Sequence, residues 1–296
     1  MALTINNNPM AANASRNLAN SYNSLATSVR RLSSGLRVGS ASDDAAGLAI
    51  RELMRADIAS LNQGVRNAND AISMIQTADG ALGVIDEKLI RMKELAEQAS
   101  TGTYTSDQRL MIESEYQAMA SEITRIANST DFNGVYLLNG NLSSERHNGN
   151  DMTSTGKLKI HFGSANDSAE DYYYVTIGTA TASALGVGNQ ADQGMNAYTI
   201  STQAAAQRAL VGLTSAIVSK DSIRASLGAI QNRLENTISN LQIQAENLQS
   251  AESRISDVDV ATEMTQFVRN QVLTQAAVAM LSQANSLPQM ALTLMR

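Results

Sequence analysis

The stretch LGAIQNRLENTISNLQIQAENLQSAESRISDV, Leu227 to Val258, decides how this chain folds. Leu227, Ile230, Leu234, Leu241, Leu248, Ala251, Ile255 and Val258 follow steps of three and four, with Thr237 and Gln244 filling the two gaps. That spacing holds one side of a helix against a partner, as in a left-handed coiled coil. After Gly228 no glycine follows, and the only later proline is Pro288, so little in the sequence stops a helix here. An unbroken helix over residues 201–287 is about 130 Å long at 1.5 Å per residue. It cannot sit inside a compact globule of this chain length and needs neighbours along most of its length.

The same spacing recurs on the other flank. Leu18, Tyr22, Leu25, Val29, Leu32 and Leu36 form one seam, and Ile58, Leu61, Val65, Ala68, Ile72 and Ile75 a second. Asp79 and Asp86 then fall on seam positions, where the stripe drifts. Ile112, Tyr116, Met119, Ile123 and Ile126 make a shorter third stretch. Ser33-Ser34-Gly35 and Gly39 to Asp44 interrupt the first seam, with Ser42 or Asp43 as the expected cap of the next helix. Ser100 to Thr103 separates the second seam from the third, with Ser106 or Asp107 as the expected cap.

The centre differs. Nine of the 18 glycines, both histidines and five of the eight tyrosines lie between residues 131 and 200, which makes this the breaker-rich zone. Lys157 to Phe162 (KLKIHF) puts Leu158, Ile160 and Phe162 on one face, and Tyr173, Val175 and Ile177 alternate with Tyr172, Tyr174 and Thr176. With turn residues between them, these predict a small β-hairpin inserted between helical flanks. The expected fold class is therefore mainly α: long coiled-coil helices from both termini packed together, with a β-hairpin element at about 135–200.

Composition narrows the function. Aromatics are 4% of the 296 residues, with no tryptophan, which suits thin layers of slender helices better than a thick core. A net charge of −6 argues against nucleic-acid binding. There is no cysteine, and His147 and His161 are the only histidines, so imidazole or thiolate chemistry has little to work with. No apolar run approaches a membrane span, and the start of the chain has no basic-then-apolar secretory pattern. No catalytic, cofactor or metal site is expected. Asp79, Asp86 and Glu87 read as a solvated helix face, because no basic, histidine or nucleophile partner of catalytic type accompanies them. Gly186-Val187-Gly188 and Gly80 to Gly83 lack the strand–loop–helix frame of a phosphate site.

The two ends are sparsely charged. Residues 1–45 carry only Arg16, Arg30, Arg31, Arg37, Asp43 and Asp44, and the last 40 only Asp257, Asp259, Glu263, Arg269 and Arg296. A solvated helix normally carries more. These ends therefore read as surfaces that find cover against other copies of the chain.

Several motifs carry a family resemblance. SGLRVGSASDDAAGLAI (Ser34–Ile50), RASLGAIQNRLENTISN (Arg224–Asn240), ENLQSAESRISDVDVATE (Glu246–Glu263), the opening INNN with AANASRNL and the ending SQANSLPQMALTLMR resemble the signatures of bacterial flagellins. The resemblance spans about residues 1–140 and 200–296, and Ala184-Leu185-Gly186-Val187 resembles part of that family's hairpin region. It implies a secreted, extracellular subunit that polymerises with itself into the flagellar filament and is exported unfolded by the flagellar type III route. Residues 1–45 and 257–296 would form the two halves of the inner filament core, and 46–256 a rod-like helical domain. The outer domains of longer members would be missing.

The implied core interface is Leu18, Tyr22, Leu25, Val29, Leu32, Leu36, Met264, Phe267, Val268, Val272, Val278 and Leu281, with Asp43 and Asp44 at an inter-domain hinge. Arg91, Leu95 and Glu115 match positions that touch the innate Toll-like receptor in flagellins it recognises, and inter-subunit packing is the competing reading. An export chaperone and cap or junction proteins are further implied partners; nucleic acid and membrane insertion are not. The rival readings are a hook–filament junction protein and a secreted coiled-coil adhesin or effector.

Overall fold

The computed structural model describes residues 7–143, 156–167, 170–191 and 197–294. Ile5, Asn6, His147 and Arg296 lie outside the described residues. The elements are α1 (Pro9–Ser34), α2 (Ala45–Ser100), α3 (Ser106–Ser129), β1 (Asp131–Phe132), β2 (Val135–Tyr136), β3 (Leu158–His161), β4 (Tyr172–Val175), α4 (Ala182–Leu185), a 3-10 turn at Gly188–Gln190, α5 (Gln203–Ser256) and α6 (Val260–Leu294). Two compact units emerge, residues 1–58 with 246–296 and residues 59–245. Their boundaries fall inside α2 and α5.

Local chemistry sets the helix ends. Asn8 caps α1 by accepting from the Ala11 amide, Pro9 opens its first turn, and Gly35 closes it at φ 73° with its amide on the Arg31 carbonyl. Ser42 and Asp43 do not cap α2; Asp44 does, accepting from the Gly47 amide at 2.9 Å. Thr105, one residue before the expected Ser106, caps α3 in a reciprocal capping box with Gln108. The long C-terminal helix is not continuous: α5 stops at Ser256, and Asp259 restarts the chain as α6 by accepting from the amides of Ala261 and Thr262.

The core lies in the second unit. On α2 the buried residues run Leu61, Ala68, Ala71, Ile75, Ala78, Leu82, Ile85, Leu89, Met92 and Ala96 without a break. The stripe does not drift at Asp79 and Asp86, because these carboxylates flank it. Tyr116, Ala120, Ile123 and Ala127 line the buried side of α3. Leu213, Leu227, Leu234 and Leu241 on α5 are likewise buried. Each such leucine contributes about 1.5–3 kcal/mol on leaving water, so an uninterrupted heptad stripe supplies a cooperative core.

The hairpin forms where alternation predicted it. β3 and β4 pair antiparallel with Leu158 opposite Val175 and Ile160 opposite Tyr173. Ile160 and Val175 are buried, as is Phe162 just beyond β3. Gly64 lets α2 approach this hairpin, since a Cβ there would overlap the Phe162 carbonyl. A second, shorter pair, β1–β2, turns at Asn133 (φ 51°) and Gly134 (φ 80°). An Asn-Gly pair suits a turn with two positive φ angles; the sequence reading passed over it.

Gly188, Ala197 and Ile200 are held against α3. The Tyr116 hydroxyl donates to the Ala197 carbonyl at 2.7 Å, and Glu113 accepts from the Ile200 amide at 2.6 Å. Burial pushes the Tyr116 phenol well above its ordinary range. Gly186 and Gly188 have positive φ, and Gly188 packs directly on Ala120. That role, and not phosphate binding, accounts for the glycines here.

Candidate assembly interface

The first unit is built around an antiparallel pair, α1 against α6. Two contacts set its register: Asn8 donates to the Ala284 carbonyl at 2.8 Å, and Arg31 lies 3.7 Å from Glu263. Reading along from Asn8 and Ala284 brings Leu25 level with Phe267 and Leu18 with Thr274. The sheltered positions on α1 are Ala11, Ala14, Leu18, Ser21, Leu25, Ser28 and Leu32; on α6 they are Glu263, Phe267, Asn270, Thr274, Ala277, Leu281 and Ala284. Both series step by three and four. The seam is thus a coiled coil, but a thin and partly polar one.

This splits the expected interface residues. Leu18, Leu25, Leu32, Phe267 and Leu281 turn toward the seam and are half-buried. Tyr22 and Val29 on α1, with Met264, Val268, Val272 and Val278 on α6, face outward at 45–58% exposure. Val260, Leu273 and Met280 are exposed as well. The apolar stripe on each helix is wider than the seam the chain can close by itself. Leu36 belongs to neither set: it lies beyond the end of α1, half-buried, and forms an isolated bridge with Asp257.

That bridge joins the two helix breaks. The Arg37 amide donates to the Ser256 carbonyl at 2.6 Å, the Val258 amide to the Gly35 carbonyl at 3.0 Å, and the Arg37 guanidinium to the Ile255 carbonyl at 2.6 Å. Arg51 reaches from α2 to the Val38 carbonyl at 2.7 Å, with both residues buried. Asp43 accepts from the Ser40 amide and hydroxyl and from Arg30 at 2.7 Å. The Ser40 hydroxyl and then the Arg30 charge hold its carboxyl below the usual range. Breaks more than 200 residues apart in sequence are held as one hydrogen-bonded junction.

Elsewhere the charged residues resolve differently from the sequence reading. Glu87 is exposed, as the solvated-face reading expects, but Asp79 and Asp86, though partly exposed, are paired across the helices. Arg224 grips Asp79 at 2.7 and 3.1 Å, and Lys220, 1% exposed, donates to Asp86 at 2.6 Å. Their partners lie 134 and 145 residues away, so no local spacing could reveal them. Arg91 pairs with Glu94 and Glu115 at 3.0 and 2.8 Å, all substantially exposed. Leu95 does not join them: at 2% exposure it belongs to the core of the second unit. Four residues turn a helix by about 400°, about 40° beyond a full turn, enough to carry Leu95 from the outer face to the buried stripe. An open cleft of about 610 Å³ lies between α2 and the two hairpins, where Asn67 donates to the His161 carbonyl.

Comparison with known proteins settles what kind of chain builds this pair. Residues 5–143 match the bacterial flagellin N-terminal helical region, and residues 210–295 the bacterial flagellin C-terminal helical region. The chain belongs to the flagellin family. As a flagellin it is a structural subunit of the extracellular flagellar filament and not an enzyme. It is 41% identical over 294 residues to the flagellar filament 33 kDa core protein of Treponema phagedenis, covering 99% of this chain and all of that one. It is equally identical, with the same coverage, to a flagellin of Halalkalibacterium halodurans. A flagellar hook-associated protein structure from Vibrio parahaemolyticus shares the fold at TM-score 0.55 and 13% identity, over 73% of this flagellin and all of that chain. No described helix of this flagellin is long and apolar enough to cross a membrane.

Proposed function

We propose that self-association runs through the outward apolar faces of α1 and α6, with residues 1–45 and 257–296 forming the filament core and residues 46–256 surrounding it. The observation that carries this reading is the row Met264, Val268 and Val272, stepping by four along α6 and left 45–58% exposed. Water-exposed apolar area on this scale has a driving force of about 25 cal/mol per Å² toward cover. A head-to-tail contact that does not close on itself gives a helical polymer. The pinned junction at Leu36 and Asp257, with Asp43 and Asp44 beside it, serves as the hinge between core and surround.

The same faces have to be shielded before assembly, which is the work an export chaperone would do during passage through the flagellar type III route. Cap and junction proteins would meet them at the filament ends. An innate Toll-like receptor would have Arg91 and Glu115 to read.

Deleting about 40 residues from either end tests the proposal. The expected result is no filament by negative-stain electron microscopy after seeding, where the full chain polymerises. Ordinary filaments from the shortened chain would overturn it.

A further inference from the structure

We propose that the two ion pairs Lys220–Asp86 and Arg224–Asp79 lock the register of α5 against α2, so that the helices cannot pair one heptad out of place. The argument begins with a degeneracy. On α2, Leu61, Ala68, Ile75, Leu82, Leu89 and Ala96 repeat every seven residues, and all are buried. On α5, Ala206, Leu213, Leu227, Leu234 and Leu241 repeat on the same step and are also buried. A slip of seven residues sets apolar side chains against apolar side chains again. Shape and volume resist it only through imperfect packing.

One position of the α5 series is not apolar. Lys220 occupies it, 1% exposed, with Asp86 and its own neighbour Asp221 each at 2.6 Å. Burial pushes the Lys220 ammonium down, but the hydrogen bonds it donates to Asp221 and Asp86 outweigh it and hold the charge on. Asp221 travels with Lys220 and cannot report register. Asp86, on the other helix, can. The second rung is Arg224 on Asp79.

The two rungs together exclude both slips. As residue numbers rise on α5 they fall on α2, so the helices are antiparallel. Slipping one way moves Lys220 level with Asp79, which satisfies it, but moves Arg224 level with Ile72 and Asp86 level with Leu213. Slipping the other way gives Arg224 Asp86, but sets Lys220 level with Lys93. Either Lys220 or Arg224 alone would accept a slipped partner. Only in the native register do both find carboxylates on α2: Lys220, its side chain 2% exposed, is disfavoured opposite Lys93 even with Asp221 beside it, and the more exposed Arg224–Asp79 rung adds a weaker preference. Polar groups placed within an otherwise apolar seam are known to specify register in coiled coils. These four are positioning residues: a lattice repeats only if every subunit presents its surfaces at the same axial height.

The chain has no cysteine, so introduced cysteines are the only thiols available for spin labels. Gln76→Cys on α2 and Asn240→Cys on α5 place labels at exposed positions, far enough apart along the axis that either slip changes their separation. A seven-residue slip moves one label about 10 Å along the axis. The full chain should give one distance in pulsed electron resonance. The variant with Lys220→Met, Asp86→Leu, Arg224→Met and Asp79→Leu should give a second, displaced population of at least one molecule in ten. If that variant folds and keeps the single native distance, the proposal is wrong. Should it not fold, Asp86→Lys decides: it should displace or broaden the distance, and adding Lys220→Asp should restore the native one. Failure of the exchange to restore it also overturns the proposal.

Discussion

The α1–α6 pair and the core around α2 obey one spacing rule and end in opposite states. Both run on steps of three and four. Around α2, consecutive seam positions are apolar and dry, from Leu61 to Ala99. In the first unit only Val38 and Ala284 among the described apolar side chains are fully buried, and the seam includes Ser28, Glu263 and Thr274. Its larger apolar residues, Tyr22, Val268, Val272 and Met280 among them, stay on the outside. A heptad therefore says that a helix has a partner, but not whose chain the partner is on. Charge tells more: the second unit sets Lys220–Asp86 and Arg224–Asp79 along its seam, whereas the few charges of the ends pair near the helix breaks, as Arg30–Asp43 and Arg31–Glu263.

The widest separation between the two regions comes from one substitution in each. Ile85→Asp puts a carboxylate where the side chain is 0% exposed. Burying that charge and losing the packed isoleucine costs about 4–5 kcal/mol or more, so the cooperative thermal transition followed by circular dichroism should be lost or fall steeply. Val272→Asp, at 58% exposure, should leave that transition within about 0.5 kcal/mol yet abolish seeded polymerisation. If Val272→Asp polymerises normally, the outer face of α6 is not the contact.

A smaller effect sharpens the same contrast inside the second unit. Gly64→Ala adds a methyl that overlaps the Phe162 carbonyl, and backbone cannot swing aside as a side chain can. Overpacking of this kind costs about 1–3 kcal/mol. Thermal unfolding should shift down accordingly, while α1 and α6 keep their faces and filaments still form below the new midpoint.

Much of this was legible in sequence because the informative patterns are local. Steps of three and four on Leu227 to Val258 marked a seam, alternation in KLKIHF and YYYV marked the hairpin, and sparse charge marked the ends. What escaped needed the third dimension. The Asp79 and Asp86 partners are on another helix, and Lys220 hides inside an apolar series. Leu95 shares a spacing of four with Arg91, but the buried stripe is wide enough to include it. Leu18, Leu25 and Leu32 face α6 within the chain, whereas Ser21 and Ser28 take the other inner column and leave Tyr22 and Val29 outside. Apolar spacing favours the bulky column, whereas close approach of two helices favours the small one. Two missed features had local signals, the Asn133-Gly134 turn and the Thr105–Gln108 capping box.

Acid offers the finest test of the comparison, because each unit holds a carboxyl with a depressed titration. At Asp79 the hydrogen bonds from Arg224 lead, and its charge adds to them; at Asp43 the Ser40 hydroxyl leads, with Arg30 behind it. A carboxyl held below its ordinary 3.8 in the folded chain stabilises the fold above that value, and the stabilisation is lost as pH falls through the folded value. Both sites therefore weaken the protein in the same direction, below about pH 4. They should differ in what the melting curve registers. Asp79 belongs to the dry core's cooperative unit, so Asp79→Asn should flatten the fall of the thermal midpoint between about pH 4 and pH 2. Asp43 belongs to the unit that depends on other copies for cover. Asp43→Asn should leave the monomer's midpoint-against-pH curve unchanged and instead flatten the acid dependence of filament disassembly, followed by light scattering. Equal flattening of the monomer curve by both variants would mean that the two regions melt as one, and that the ends need no neighbour to be stable.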